Sequence, residues 1–173
     1  MLKILYIKLN IFTFVLIFIH FKELNMTTQE KRPLVFLTID ILTFSIYFGI
    51  LLKACKEYTN SMGELSFWST SILILIPLMI VSRIILYVLY SIFNTATTKE
   101  KEEKFLIDEL GRIIKLKATR NFSTTFMLGF VATMILLSIG ASIPSMFKMF
   151  FFSIFSAFIV QNISEYYYTK KGI

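Results

Sequence analysis

The sequence predicts an all-α fold, an integral membrane four-helix bundle with one cytoplasmic connecting helix. Three observations carry that expectation. Of the 173 residues, 56% are hydrophobic and the mean hydropathy is +0.72, whereas a soluble domain is about 45–50% apolar. The apolar residues gather into runs of roughly 20, the length a helix needs to cross a bilayer. The charges lie between the runs, and one polar stretch, Thr97 to Arg120 (TTKEKEEKFLIDELGRIIKLKATR), holds 7 of the 18 Lys and Arg and 5 of the 11 acids.

Residues 1–25 have a basic start and an apolar stretch from Ile11 to Phe21. That stretch is short for a span and lacks a small-residue cleavage site after it. Met26 opens MTTQEKRPLVF, and the expectation is that translation begins there. The alternative is an extra N-terminal membrane helix. The first span runs over about 33–52, with Lys31 and Arg32 before it and Pro33 in its first turn. KACKEYTNSMGELS reads as a polar loop with Asn60 and Gly63 as turn residues. The second span runs over about 67–93. It opens on Phe67 and Trp68, residues suited to the interface, and carries Pro77 and Arg83.

The central stretch 97–120 reads as a helix of its own. Thr97 with Glu100 forms a capping-box pattern. Glu100–Lys104 and Asp108–Arg112 are acid-before-base pairs at i,i+4. Leu106, Leu110 and Ile113, flanked by Ile107 and Ile114, make an apolar stripe at helical spacing. The third span follows over about 122–143, rich in small residues such as Gly129, Ala132 and Gly140 that permit close helix contact. Pro144-Ser145 reads as a tight turn. The fourth span runs over about 146–163, with Lys148 able to snorkel near its start and Gln161, Asn162 and Glu165 marking its exit. Tyr166, Tyr167 and Tyr168 form an interfacial belt before Lys170 and Lys171.

Orientation follows from the basic residues. If the central stretch is inside, the inner flanks hold 11 Lys and Arg and the outer flanks 3 (Lys53, Lys56 and Lys148). Lys and Arg mark the cytoplasmic side, so both termini of a Met26-start chain are expected there, in the cell membrane.

The chemistry is sparse. No phosphate-cradling glycine loop, HExxH, CxxC or GxSxG occurs. A single cysteine, Cys55, excludes an intrachain disulfide, and the one histidine is His20 in the doubtful N-terminal segment. An enzyme is not expected, nor a cofactor, nor direct nucleic-acid binding. Two features remain. Asp40 and Arg83 lie inside apolar spans that form an antiparallel hairpin, about 10 and 14 Å from the inner ends by the helical rise, so the two fall at similar depth. They read either as a structural ion pair, with Ser82 and Thr43 as polar neighbours, or as an ion or proton relay. Arg112, Lys115, Lys117 and Arg120 abut the third span and read either as a docking surface for a partner or anionic lipid, or as a solvated connector.

The residues DELGRIIKLKATRNFSTTFMLGF, followed by a proline turn and MFKMFFFSIFSAFIVQNISEYYYTKKG, resemble a family of uncharacterised small prokaryotic membrane proteins. That family shows a D-E-R-x-x-x-I-x-x-K-A-x-R motif before its third span and an aromatic-basic C-terminus. Asp108, Glu109, Ile113, Lys117, Ala118 and Arg120 match it, while Gly111 with Arg112 departs from the placement of its first arginine. The resemblance covers about 34–172. It implies four spans, no known catalytic activity and a regulatory partner. Three functions stay open: a regulatory or scaffolding membrane protein acting through its cytoplasmic helix, a small transporter or transporter subunit using Asp40, and an immunity protein against a membrane-active peptide. Small multidrug transporters also have four spans and an acid in the first, but are much shorter between spans. Oligomeric state is open too, with a homo-oligomer among the alternatives.

Overall fold

A computed structural model of the chain describes residues 28–98 and 109–172. Residues 1–25, the Glu100–Lys104 and Asp108–Arg112 pairs, and Leu106 and Ile107 of the expected stripe therefore fall wholly or partly outside the described residues. What is described is helical: α1 Thr28–Met62, α2 Glu64–Thr98, α3 Glu109–Ser138 and α4 Ile143–Lys171. All four are long and apolar enough to cross a membrane. At 35 residues each, α1 and α2 are about 52 Å long. They exceed a hydrocarbon layer of about 30 Å, so a helix of this length crossing one would tilt within it or project from it.

The boundaries differ from the sequence expectation in four places, each for a local reason. The polar loop expected around residues 53–66 is helix apart from one residue. Gly63 alone breaks it, in the left-handed region at φ 77°, a conformation glycine adopts without a Cβ clash. Pro144 does not make the second turn. It sits in the first turn of α4, where its missing N–H is no loss. The turn lies at Ile139–Ser142 and closes as a Schellman motif: Ala141 N–H donates to the Leu136 carbonyl and Gly140 N–H to that of Leu137, both at 3.1 Å, with Gly140 at φ 83°. Pro33 lies in the second turn of α1 rather than the first, since the helix is already formed at Thr28.

The fourth difference concerns the polar stretch. Thr97 lies in the last turn of α2 instead of starting a new helix, and residues 109–120 are the opening turns of α3, continuous with the apolar part to Ser138. The polar run RNFSTT looks like a boundary but is carried inside the helix. Its hydroxyls fold back on the preceding turn: Ser123 donates to the Thr119 carbonyl, Thr124 to Arg120 and Thr125 to Asn121, at 2.9–3.1 Å. The packed face is also rotated from the expected one. Leu110 and Ile113 are 42% and 43% exposed, while Ile114 and Ala118 are buried at 5% and 0%.

The helices do not close a ring. α1 packs on α2 and α4, α2 also reaches α4, and α3 touches α4 alone among the described helices. α3 and α4 approach most closely at Gly129. A Cβ there would overlap the Ser153 hydroxyl and come within 2.5 Å of the Ser153 Cβ and 3.2 Å of its Cα. Phe122 and Phe126 pack against Phe158 and Phe150 on either side of this contact. The core of the other three helices is aromatic. Trp68, expected at the interface, is fully buried with Phe67, Phe147 and Phe151 around it. Phe44 stacks on Phe155 at 4.1 Å between centroids. Lys148 places its ammonium 6.0 Å from the Trp68 ring. Tyr47 ties α1 to α2 by donating to the Ser71 carbonyl at 2.6 Å.

Candidate functional site

Two groups of polar side chains stand out, both at the end where α1 begins and α4 finishes. The first is built on Asp40. In α1 the buried positions Val35, Ile39, Asp40 and Phe44 recur at helical spacing, so the face that carries the packing also carries the acid. Asp40 is 1% exposed. Arg83 on α2 meets it in a two-pronged ion pair: Nε donates to Oδ1 at 2.7 Å, and Nη2 donates to Oδ2. This parallel fork matches the planar guanidinium to the carboxylate. A third helix joins, because Asn162 of α4 donates from Nδ2 to Asp40 Oδ2 at 2.6 Å. One carboxylate thus accepts three hydrogen bonds from two neighbouring helices.

The guanidinium is held on its other sides by rings. Arg83 Cζ lies 4.6 Å from the Phe158 centroid and 5.8 Å from that of Phe36. Phe36 stacks on Tyr87 at 5.2 Å. Arg32 covers the same pair, at 5.7 Å from Phe36 and 5.3 Å from Tyr87. Cation–π contacts of this sort grow stronger as water is excluded. The Arg83 side chain remains 26% exposed. Ser82 donates to the Met79 carbonyl on its own helix at 3.0 Å.

The depth of this cluster follows from its α4 member. Asn162 precedes Tyr166 by four residues, about 6 Å along the helix. Along α4, the ion pair therefore lies roughly one helical turn from Tyr166.

Asn162 was expected only to mark the exit of the fourth span. Its spacing from Phe151, Phe155 and Phe158, at i+11, i+7 and i+4, was the available signal. It places the amide on the face that the aromatics bury.

The second group is the basic collar of α3. Arg112, Lys115 and Arg120 are exposed, and Lys117 is half-buried with its ammonium 5.6 Å from the Tyr168 ring. Asn121, which no sequence pattern singles out, fixes this part of α3 to α4: it donates to the Ser164 hydroxyl at 3.0 Å and to the Tyr168 hydroxyl at 3.3 Å. The Asp40 group and the collar are thus separate clusters, one inside the three-helix core and one around the edge helix. Among the described residues, no three His, Cys, Asp or Glu side chains come together to hold a metal. No family model, curated protein or solved structure matches the chain.

Proposed function

We propose that this chain is a non-enzymatic multi-pass protein of the cell membrane, with the basic end cytoplasmic, and that it works by binding at that face in a regulatory or scaffolding role. The observation that carries the reading is the presentation of Arg112, Lys115 and Arg120. They are exposed on a helix whose opposite side is fixed to α4 through Asn121 and the buried Ile114 and Ala118. A rigid helix holds its charges in place at little entropic cost on binding. The bias of Lys and Arg toward this end supports the cytoplasmic orientation.

The geometry of Asp40 weighs against transport. A coupling acid exchanges ligands during a cycle, whereas this carboxylate is buried under Arg83 and Asn162. Opening it would leave a charge in an apolar interior, at a cost of about 3–5 kcal/mol.

The test uses the full chain in intact cells with a photo-crosslinker in place of Leu116, an exposed residue of the collar. Adducts that diminish in the Arg112→Ala, Lys115→Ala, Arg120→Ala variant are expected. The reading fails if no adduct forms and the purified protein instead conducts a proton or cation flux in proteoliposomes that Asp40→Asn abolishes.

A further inference from the structure

Building on the reading of the basic end as a cytoplasmic binding face, we propose that the ligand there is lipid. The start of α3 and the end of α4 form a collar that holds the phosphate headgroups of anionic phospholipids in the surrounding leaflet. The Asn121 bonds to Ser164 and Tyr168 set the antiparallel register of the two helices. That register lays residues 109–120 beside residues 164–172. Six cations meet there, Arg112, Lys115, Lys117, Arg120, Lys170 and Lys171, against two acids, Glu109 and Glu165.

The distribution of these charges selects lipid over protein. At about 100° per residue, Arg112, Arg120, Lys117 and Lys115 fall near 0°, 80°, 140° and 300° around α3. Buried Ile114 and Ala118, with half-buried Asn121, centre on the remaining arc, facing α4. The cations therefore encircle all of the helix that α4 leaves open. A docked protein covers one side of a helix, while a headgroup layer surrounds it. Exposed Leu116 lies between Arg112 and Arg120, and exposed Ile113 between Arg120 and Lys117, on the side away from α4. Apolar stems beneath flexible cations suit the boundary between acyl chains and headgroups.

Vertical placement agrees. Arg112 and Arg120 are separated by about 12 Å along the axis, enough to span the headgroup zone of one leaflet, about 5–8 Å deep. Tyrosines prefer this zone. Here they also hold cations, with the Lys117 ammonium 5.6 Å from the Tyr168 ring and that of Lys171 4.5 Å from Tyr167.

The experiment reads lipid retention by native mass spectrometry. The full chain is released from nanodiscs of phosphatidylcholine with phosphatidylglycerol at a minor fraction. The wild type is expected to retain phosphatidylglycerol well above its bulk share, and phosphatidylserine equally well, since the phosphate and net charge are what is recognised. Arg120→Gln lowers the enrichment by up to about fivefold at low salt, and half-molar salt reduces it for every variant. Replacing Arg112, Lys115, Lys117 and Arg120 together by Gln returns retention to the bulk share. Millimolar inorganic phosphate does not displace the lipid, and Lys53→Gln, at the opposite end, changes nothing. Glu109→Gln raises the enrichment, an effect that misfolding does not produce. Retention equal in the wild type and the fourfold Gln variant overturns the proposal, as does equal retention of phosphatidylcholine. If lipid retention is unselective while a collar-dependent protein adduct forms in cells, the lipid assignment falls and the cytoplasmic binding face stands. If neither is seen, both fall.

Discussion

Gly129→Ala is the sharpest perturbation the structure offers. The new methyl would lie 2.5 Å from the Ser153 Cβ and 3.2 Å from its Cα, where carbon atoms prefer about 3.5–4.0 Å. Rotating the serine relieves the clash with its hydroxyl but not the clash with Cβ, which has no freedom to move. The helices must separate by about 1 Å, loosening the Phe126–Phe150 and Phe122–Phe158 contacts that flank the crossing. Overpacking of this size costs about 1–3 kcal/mol. Because α3 touches only α4 among the described helices, the loss is confined to the α3–α4 contact. Unfolding in mixed detergent with increasing SDS, followed by circular dichroism, measures the stability, and Trp68 fluorescence reports the other three helices. The expected result is an early loss of α3 packing with the Trp68 transition unmoved. Ser153→Gly in the same chain removes both the hydroxyl and the Cβ and restores most of the stability. A Gly129→Ala protein as stable as the wild type, or one that Ser153→Gly does not rescue, would refute the close-approach account.

Four further outcomes are expected. Replacing Asp40 or Arg83 alone by an apolar residue strands the partner and lowers stability by about 3–5 kcal/mol, while replacing both recovers abundance in the membrane; equal loss in the single and double variants contradicts a mutual pair. Asn162→Leu leaves the Asp40–Arg83 fork intact but removes one donor to Asp40, costing about 1–3 kcal/mol in the same titration. Tyr47→Phe loses the bond to the Ser71 carbonyl and about 1 kcal/mol, with no effect on the collar. An impermeant thiol reagent labels Cys55 in intact cells, whereas a cysteine at Leu116 in a Cys55→Ser chain is protected until the cells are opened; the reverse pattern inverts the orientation.

The sequence made some of this structure legible and hid the rest for identifiable reasons. Apolar runs near 20 residues marked the helices because length in lipid is fixed by bilayer thickness. Asp40 and Arg83 could be placed side by side because charges in an apolar run have few alternatives to each other. The faces of the helices were harder. In a soluble helix the polar face identifies the buried one, but lipid is as apolar as a protein core. Thus Leu110 and Ile113 looked as suited to packing as Ile114, and only the smallness of Ala118 and Gly129 distinguished the side that meets α4. Asn162 was overlooked because an amide near the end of a span has an easy explanation as an exit marker. The turns were misplaced by one motif each: Pro144 fits a first helical turn as well as a loop, and the polar residues around Gly63 do not oppose a helix.

The dependence of α3 on α4 has a consequence for how the chain assembles. In the multi-pass reading proposed above, synthesis from the N-terminus brings α1 and α2 into the bilayer first, with Asp40 and Arg83 together as a hairpin. α3 then enters without a partner there, since among the described helices it contacts α4 alone. Until α4 follows, it stands alone in lipid, anchored at one end by its own arginines and lysines. The arrival of α4 completes two unions at once, through Asn162 to the hairpin and through Ser153, Ser164 and Tyr168 to α3. α4 is the keystone, and a chain truncated before it would hold the α1–α2 hairpin and α3 as two separate pieces.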